Sequence, residues 1–474
     1  MKRRTKIIAT IGPASDDERT LKAMIDAGMD VARINLSHGG LDTGLERYHR
    51  LRQVASTVGR PIGALVDLPG PKVRSGAFPE GGSVLHTGDE VELVAGQTPS
   101  DEERITVDES HLTDCVATGD SIVLGDGTVS LEVLDVEGDV VRARVRNGGR
   151  VQGRPGVHLP SEHWAPPVPT DDDLRLIKEV GGLADWVAVS FVRRAEELIR
   201  VREALGPRGP KLMAKIETRS AVEHLDDLLV VADGVMVARG DLGIDFPIED
   251  VPVLQKQIIS ACAARGVPVV TATQMLESMI SAATPTRAEA TDVANAVVDG
   301  TDALMLSAET AIGVDPANVV RTMARIAERA EQSDERRIQP GDRGRVGRRQ
   351  PTAAAVTVAM AHAAYRAASE LDLAAIVCCT RNGVTARAMA ALRPPCRLVG
   401  ASPSCETARQ LSLSWGVEPL VVGEYETTDE MVWCVVEAAV QRGLVSAGET
   451  IAVLAGAPDS PTRGTDVLRV VAVC

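Results

Sequence analysis

Short apolar runs alternate with segments of helical period along the first part of the chain. The runs KIIATI, VARINL and GALVDL have the length of buried strands. Between the first two, the segment SDDERTLKAMIDAG places Leu21, Met24 and Ile25 on one helical face behind a Ser/Asp cap. Strands that alternate with helices in this way predict βαβ units and a parallel sheet.

The pattern changes between residues 71 and 160. This stretch contains short β-branched runs, namely VELVAG, RITVD, SIVLG, VSLEVLDV and VVRARV, separated by turns such as Gly125-Asp126-Gly127. It predicts an inserted all-β domain that forms a small β-barrel.

Strand and helix alternate again after TDDDLRLIKEVGG. The runs WVAVSFV, KLMAKI, GVMVA, PVVTAT and ALMLS bring the parallel strands to about eight, the number that closes a TIM (β/α)8 barrel. We therefore predict an α/β fold whose barrel comprises residues 1–70 and 161–335, with the insertion after the third strand.

The last part of the chain is predicted to be separate. Residues 336–350 lack an apolar period, and their arginines are mixed with acidic residues, so we interpret them as a solvated linker rather than a nucleic-acid patch. From residue 351 to 474 the runs AAIVCCT, RLVGAS, PLVVG, TIAVLAG and VLRVVAV alternate with helices, which predicts a C-terminal α/β domain.

Composition excludes several kinds of partner. A formal charge of −15 and an aromatic content of 2% disfavour binding to nucleic acid or to an anionic membrane. The eight cysteines form no C-x-x-C pair, and no apolar run reaches about 18 residues. We expect a cytoplasmic protein that binds neither nucleic acid nor membrane.

Polar side chains follow nearly every predicted barrel strand. In such barrels the carboxyl ends of the strands form one shared mouth, where reactive groups gather. The residues at these ends, in strand order from the second to the eighth, are Arg33, Asn35, Ser37 and His38; Asp67 and Arg74; Ser190 and Arg193; Lys215 and Glu217; Arg239 and Asp241; Thr273; and Ser307 and Glu309.

Two of these carboxylates predict a metal site. Glu217 and Asp241 end neighbouring strands, so they can converge on one Mg²⁺ and leave it water or substrate ligands. Lys215 lies on the same strand face as Glu217, and a metal with an ammonium can neutralise a transferring phosphoryl group. A structural ion pair among the three is the alternative. The sequence contains neither a P-loop nor a G-x-G-x-x-G motif.

Several long stretches of the chain resemble one family, the pyruvate kinases. They are TKIIATIGPAS, GMDVARINLSHG, DLPGPKVR, AKIE, DGVMVARGDLG, VVTATQMLESMI, PTRAEATDVANAVVDGTDALMLSAET and ARQLSLSWGVEP. The resemblance implies a TIM barrel, a mobile β-barrel lid and a C-terminal regulatory domain. It also implies transfer of phosphoryl from phosphoenolpyruvate to ADP, giving pyruvate and ATP, with Mg²⁺ or Mn²⁺ and in a homotetramer.

The resemblance also implies roles for individual residues. Lys215 would stabilise the phosphoryl group and the enolate, Arg33 would hold the phosphate, and Glu217 with Asp241 would hold the metal. Thr273 and the backbone of Gly240 and Asp241 would face the carboxylate, while Ser307 would belong to a proton relay. Nucleotide binding is assigned to Asn35, His38 and Arg74, and a K⁺ site to Asn35, Ser37, Asp67 and Leu68.

Three positions depart from the family pattern. Members that need K⁺ usually carry Glu where Lys72 stands, so we expect a fixed ammonium to replace the ion and K⁺ to be dispensable. The lid stretch reads Arg154-Pro155-Gly156-Val157-His158, where a Lys often precedes Gly. Ala308 replaces the usual Gly, an exchange whose effect the sequence does not define.

The segment CCTRNGVTAR predicts a strand, a turn and a helix start, as an anion site would have. The family binds phosphorylated effectors here, and the candidates are Thr380, Arg381, Asn382, Gly383 and Thr385; an ordinary polar turn is the alternative. For the whole protein two other functions stay open: an inactive relative kept as a regulator, and a Mg²⁺-dependent lyase or mutase acting on phosphoenolpyruvate.

Overall fold

The computed structural model describes residues 3–37, 39–125, 127, 129–160, 163–333, 353–456 and 464–473. The predicted linker at 336–350 and the candidate His38 lie outside these residues.

The chain begins with three barrel strands and two helices. These are β1 (Lys6–Thr10), α1 (Glu18–Ala27), β2 (Val31–Asn35), α2 (Gly40–Val58) and β3 (Gly63–Asp67). The Asp17 side chain caps α1 by accepting from the Thr20 backbone N–H, and Gly28 ends it with a φ of 121°. Leu21, Met24 and Ile25 are its buried residues, as the helical period predicted.

The insertion consists of nine strands. They are β4 (Val73–Arg74), β5 (Ser83–Leu85), β6 (Glu90–Ala95), β7 (Arg104–Val107), β8 (Ser121–Leu124), β9 (Val129–Glu137), β10 (Val140–Asn147), β11 (Gly149–Val151) and β12 (Gly156–His158), with a 3₁₀ turn at Leu112–Asp114. Seven of them form one sheet in the order β4-β12-β8-β9-β10-β6-β7. A bridge between Ser75 and Val107 joins the region of its two edge strands, so the sheet curls towards closure around an aliphatic core.

The barrel then resumes with five more strands. Its elements are α3 (Asp171–Val180), β13 (Trp186–Val189), α4 (Ala195–Leu205), β14 (Lys211–Ile216), α5 (Arg219–Glu223), α6 (Leu225–Val231), β15 (Gly234–Ala238), α7 (Arg239–Asp245), α8 (Val251–Arg265), β16 (Val269–Ala272), a 3₁₀ turn at Glu277–Ile280, α9 (Arg287–Asp299), β17 (Ala303–Leu306), α10 (Ala308–Ala311) and α11 (Pro316–Gln332). Eight parallel strands close in the order β1-β17-β16-β15-β14-β13-β3-β2. The predicted TIM barrel is confirmed.

The C-terminal part is a five-stranded sheet with helices. It contains α12 (Ala353–Glu370), β18 (Ala375–Cys379), α13 (Val384–Ala391), β19 (Arg397–Ser402), α14 (Cys405–Leu411), β20 (Val417–Val421), α15 (Thr428–Gln441), β21 (Thr450–Ala455) and β22 (Val467–Ala472). The strand order is β20-β19-β18-β21-β22, and β22 alone runs antiparallel to its neighbour.

The C-terminal part packs directly against the barrel. Leu413 belongs to the same buried cluster as Trp186 and Met213 of the barrel strands. The Trp186 indole N–H donates to the Gln410 carbonyl at 3.1 Å. At these contacts the two units share a buried apolar interface.

A buried carboxylate crosses the same junction. Asp185 is fully buried; its Oδ2 lies 2.5 Å from Arg52 Nη2, and its Oδ1 lies 2.8 Å from Arg409 Nε on α14. It also accepts from the Ala64 backbone N–H at 2.8 Å. A carboxylate removed from water is tolerated only when it is paired in this way.

In the described part of the chain, we find no helix with the length and apolar character needed to span a membrane. The seven cysteines described there are free thiols, and Cys115, Cys262, Cys378 and Cys379 are buried, as expected for cysteines that act as small apolar residues.

Replacing Asp185 with alanine is expected to destabilise the protein by about 3–5 kcal/mol, because two guanidinium groups at a buried junction lose their counter-charge. The measurement is the midpoint of urea unfolding. Asp135→Ala, which removes an exposed partner of Arg142, is the matched control and is expected to leave the midpoint nearly unchanged. Equal shifts in the two variants would contradict this account of the junction.

Candidate active site

The predicted site residues lie at the carboxyl ends of the barrel strands. Lys215 is the fifth residue of β14, and Glu217 follows the end of that strand. Asp241 lies in the first turn of α7, which begins directly after β15. Because β14 and β15 are parallel neighbours, their ends carry these side chains to the same mouth of the barrel.

Lys215 lies at the centre of the site. Its ammonium is 2.7 Å from Glu217 Oε1 and 3.6 Å from Asp67 Oδ1, and it donates to Ser190 Oγ at 2.8 Å. Burial alone would lower the pKa of Lys215, but the carboxylates of Asp67, Glu217 and Asp241 outweigh burial and raise that pKa above its usual value. The ammonium therefore stays charged across the physiological pH range.

Asp67 joins the lysine to a second cation. Its Oδ2 accepts from Arg33 Nη2 at 2.6 Å and from Arg33 Nε at 2.8 Å. Burial would raise the pKa of Asp67, but Lys215 and Arg33 hold it below its usual value. Arg33 also donates from Nη1 to Thr10 Oγ1 at 3.2 Å, so its guanidinium is held in one orientation.

Glu217 is the carboxylate whose charge is least well compensated. It is 1% exposed and accepts from the Phe191 backbone N–H at 2.7 Å through Oε2. Burial and the Asp241 charge raise the pKa of Glu217 to about 7, against the opposing effect of Lys215. Glu217 Oε1 is buried, and the Lys215 ammonium is its partner at 2.7 Å.

These two carboxylates fit a hard divalent cation. Carboxylate oxygens are the ligands that Mg²⁺ prefers, and Glu217 and Asp241 present them after two neighbouring strands. The described residues hold no cluster of three or more His, Cys, Asp or Glu side chains able to enclose a metal. Two protein carboxylates would leave the other positions to water and substrate, as Mg²⁺ commonly requires.

Thr273 is held in a strained conformation beside Asp241. Its φ is 68°, in the left-handed region that a β-branched residue rarely adopts. The Thr273 hydroxyl accepts from the Gly240 backbone N–H at 2.8 Å and donates to the Ala272 carbonyl at 2.7 Å. Arg239 fixes the same turn by donating to the Thr273 carbonyl at 2.7 Å.

Ser307 lies at the end of the last barrel strand. It precedes α10, and its backbone N–H donates to Glu309 Oε2 at 2.6 Å. Glu309 is buried and also accepts from the Leu276 backbone N–H at 3.2 Å, so it ties the loops after β16 and β17 together. Ala308 is the first residue of α10, a position that does not require glycine.

Lys72 reaches the residues assigned to a K⁺ site. Its ammonium donates to Ser37 Oγ at 2.9 Å, and the Asn35 side chain accepts from the Ser37 backbone N–H at 3.1 Å. The Leu68 carbonyl already accepts from Ser190 Oγ at 2.8 Å. Desolvation and the Lys215 charge lower the pKa of Lys72.

The lid approaches the same mouth. His158 Nδ1, on β12, lies 4.0 Å from Asp241 Oδ1. Arg74 donates from Nη1 to the Arg154 carbonyl at 3.1 Å, and Arg154 donates back to the Ser75 carbonyl at 3.3 Å. The departure from the family pattern at Arg154 thus lies in the connection between lid and barrel.

The candidate effector turn is built from short polar contacts. Gly383, with a φ of 82°, donates its backbone N–H to Thr380 Oγ1 at 2.9 Å before α13 begins. Thr385 is buried, and its hydroxyl lies 2.7 Å from Thr465 Oγ1. Arg381 is exposed and 3.7 Å from Glu424. These contacts use polar groups of the turn in bonds within the protein. The role of the turn as an effector site stays a prediction.

The sequence did not predict the contacts that Asp67, Ser190 and Phe191 make in the site. Asp67 pairs with both Lys215 and Arg33, a pairing that the sequence did not assign. Ser190 links Lys215 to the Leu68 carbonyl. Phe191, with a φ of 57°, aims its N–H at Glu217. Only the polar strand end AVSFVRR pointed to the last two.

Comparisons with known proteins agree with this fold and site. The family model of the pyruvate kinase barrel domain matches residues 2–320, and that of the pyruvate kinase alpha/beta domain matches residues 358–471. The pyruvate kinase of Geobacillus stearothermophilus is 39% identical over 476 residues, covering 99% of this chain and 80% of that protein. The pyruvate kinase of Methylorubrum extorquens is 39% identical over 478 residues, covering 99% and 97%.

A solved structure gives the same result. A crystal structure of a pyruvate kinase from Cryptosporidium parvum matches with a TM-score of 0.89 and 31% identity, covering 100% of this chain and 96% of that one. The family models and these relatives identify the chain as a phosphotransferase. The chain belongs to the pyruvate kinase family, the glycolytic phosphotransferases, as its sequence motifs predicted.

The raised pKa of Glu217 gives a test of the site's electrostatics. Stability from this carboxyl falls as pH rises from about 4.5 to about 7, because over that range the native state binds the proton that the unfolded chain has released. Glu217→Gln, with metal removed by EDTA, is therefore expected to raise stability by roughly 1–3 kcal/mol more at pH 8 than at pH 5. Thermal unfolding at both pH values provides the measurement.

Glu203→Gln, an exposed change on α4, is the control for this experiment and is expected to shift stability equally at the two pH values. If Glu217→Gln also shifts stability equally at both, the buried carboxylate is not raised in pKa and the electrostatic account of the site is wrong.

Proposed function

We propose that this protein transfers the phosphoryl group of phosphoenolpyruvate to ADP, giving pyruvate and ATP. The observation that carries the proposal is the buried Lys215 ammonium, which faces Glu217, Asp67 and Ser190 at the mouth of the barrel. Two anionic substrates can approach each other in a chain of charge −15 only where fixed cations offset the repulsion.

Lys215 and Arg33 are the cations that would meet the phosphoryl donor. Lys215 would stabilise charge on the transferring group and on the enolate left behind, because its ammonium stays protonated throughout. Arg33 is oriented by Asp67 and Thr10, so it would bind the phosphate with little loss of rotamer freedom.

Glu217 and Asp241 would hold the divalent ion, Mg²⁺ or Mn²⁺. When bound, that ion supplies positive charge that offsets the negative charge of the phosphoryl group. The residues of the chain supply the rest of the site: the strained Thr273 and the Gly240 and Asp241 backbone would orient the substrate carboxylate. Ser307 follows β17, the strand beside β16, and would pass a proton to the enolate.

The nucleotide and the lid complete the proposal. Asn35, His38 and Arg74 would contact ADP, and the insertion 71–160 would close over it as a lid. The turn with Thr380, Arg381, Asn382, Gly383 and Thr385 would bind a phosphorylated effector in the domain 351–474. We also propose a cytoplasmic homotetramer, on the resemblance to the family.

Replacing Lys215 by methionine is expected to lower kcat by about 10³-fold or more, because the ammonium acts on charge that develops in the transition state. The assay follows pyruvate formed from phosphoenolpyruvate and ADP. Lys178→Met, the same change at an exposed position of α3, is the control and is expected to keep full activity. Comparison of the two variants' thermal unfolding separates lost chemistry from lost fold.

The same assay tests the alternatives. An inactive regulator would produce no pyruvate with any nucleotide, and a lyase or mutase would consume phosphoenolpyruvate without ADP. Either result would overturn the proposed function.

K⁺ is expected to be dispensable. We expect rates in NaCl to lie within about a factor of two of rates in KCl, because the Lys72 ammonium supplies the fixed charge that a bound monovalent cation would otherwise supply. Lys72→Glu is expected to create a requirement for K⁺, while Lys178→Glu leaves the ratio of the two rates unchanged. Strong activation of the unaltered protein by K⁺ would refute this role of Lys72.

A further inference from the structure

Two connections join the inserted lid to the barrel. The first connection runs from Leu68 to Lys72, between β3 and β4. The second connection leads from β12 to α3 and ends at Thr170. A movement of the lid relative to the barrel has to change the backbone of these two segments, because they are the places where the chain passes from one unit to the other.

Asp173 is a buried carboxylate that contacts both connections. It is the third residue of α3 and is 1% exposed, whereas its neighbours Asp171 and Asp172 are exposed. Its Oδ1 accepts from the Gly70 backbone N–H at 3.1 Å, and its Oδ2 accepts from the Thr170 backbone N–H at 3.0 Å. One side chain therefore bonds to the first connection and to the second.

Capping of α3 accounts for half of this arrangement. The Thr170 hydroxyl accepts from the Asp173 backbone N–H at 3.0 Å, and Asp173 Oδ2 returns the bond from Thr170, which completes a capping box. A capping box does not involve the other oxygen, Oδ1. That oxygen accepts from Gly70, which lies 103 residues earlier in the chain. Asp173 thus makes a second contact that the helix end does not require.

Gly70 packs against the residues that orient two catalytic groups. Its φ is 64°, and a Cβ atom on Gly70 would lie 2.9 Å from Ser190 Cβ and 3.1 Å from Phe191 Cδ2. Ser190 accepts from the Lys215 ammonium, and the Phe191 backbone N–H donates to Glu217. The first connection is therefore held in contact with the loop that orients Lys215 and Glu217.

The barrel holds the second connection at other points as well. Arg193, which the sequence placed at a strand end, donates from Nη2 to the Pro166 carbonyl at 2.5 Å. Arg200 donates from Nη1 to the Val168 carbonyl at 3.4 Å. Because the second connection has these further anchors, loss of the Asp173 carboxylate is expected to release the first connection more than the second.

We propose that Asp173 is a positioning residue that fixes the pivot of the lid. It holds Gly70 and Thr170 together and so sets the direction in which the insertion extends from the barrel. A looser pivot leaves a smaller fraction of molecules with the lid placed to close over ADP, and the apparent affinity for the nucleotide falls by that fraction. The inference rests on the proposed function and adds to it a residue that acts through the backbone of Gly70.

The first test measures the pivot itself, in the full-length protein without substrates. Hydrogen/deuterium exchange read by mass spectrometry reports the protection of the Gly70 amide. This amide carries the one exchangeable backbone hydrogen of residues 69–71, because Pro69 and Pro71 have none. Asp173→Ala removes the acceptor, and we expect exchange at Gly70 to become about tenfold faster or more.

The second test measures the nucleotide. Asp173→Ala is expected to raise the KM for ADP about fivefold and to change kcat by less than about twofold, because saturating nucleotide restores the closed lid. A variant that only lost folded protein would show a lower kcat and an unchanged KM for ADP. The two kinetic constants therefore separate a pivot from a purely structural role.

Two control variants isolate the contact with Gly70. Asp171→Ala removes an exposed carboxylate from the same turn of α3. Thr170→Ala removes the hydroxyl of the capping box but leaves the bond between Asp173 and Gly70 in place. Both variants are expected to keep the exchange rate at Gly70 and the KM for ADP within about twofold of the unaltered protein.

A further variant keeps the test decisive if Asp173→Ala does not fold, which thermal unfolding shows. Gly70→Ala approaches the same contact from the other side, since its Cβ atom would push the first connection away from Ser190. It is expected to give faster exchange at position 70 and a higher KM for ADP. Unchanged values of both would overturn the inference.

Three results with folded Asp173→Ala would also overturn it. They are an unchanged exchange rate at Gly70, an unchanged KM for ADP, and the same two changes in Thr170→Ala, since the effect would then come from the helix cap. If the unaltered protein forms no pyruvate, the proposed function fails and the role of Asp173 towards ADP fails with it. Faster exchange in Asp173→Ala would still support the link between the two connections, so the two failures are distinguishable.

Discussion

The structure of the site depends on one buried ammonium. Lys215 lies where the barrel ends, largely removed from water, and its charge is tolerated because Asp67 and Glu217 face it and Ser190 accepts a hydrogen bond from it. Each of these partners is placed by a different barrel strand or by the residues that follow it. Closing eight parallel strands is therefore what makes the charge possible, and the charge in turn orients the carboxylates around it.

The same constraint leaves Glu217 poised to bind a cation. Burial raises the pKa of both carboxylates, but Lys215 and Arg33 together lower the pKa of Asp67 below its usual value. The pKa of Glu217 stays raised, because burial and the Asp241 charge outweigh Lys215. Asp67 and Glu217 are both buried in one site, and their pKa values differ because their charged neighbours differ. This arrangement suits phosphoryl transfer. The site offers a carboxylate where a metal is needed and fixed positive charge where the substrate binds.

The two ends of the barrel also differ in how positive and negative side chains are balanced. At the mouth, cations and carboxylates lie close together around Lys215. At the other end, Asp185 joins Arg52 to Arg409 across the junction with the C-terminal part, and the cavity that these arginines line has more cations than carboxylates in its wall.

The sequence by itself determined the elements and the fold class. Apolar runs of strand length and the helical face of Leu21, Met24 and Ile25 follow from local periodicity, which a chain carries in its order of residues. The sequence also placed polar residues such as Lys215 and Asp241 at strand ends, because the position of a residue along a strand is read directly from the order of residues. Only the tertiary structure decided that Asp67 pairs with Lys215, that Phe191 aims its N–H at Glu217 and that arginines from two units surround one cavity. These contacts join residues far apart in the chain, and their distances depend on barrel closure and domain packing, which periodicity does not encode.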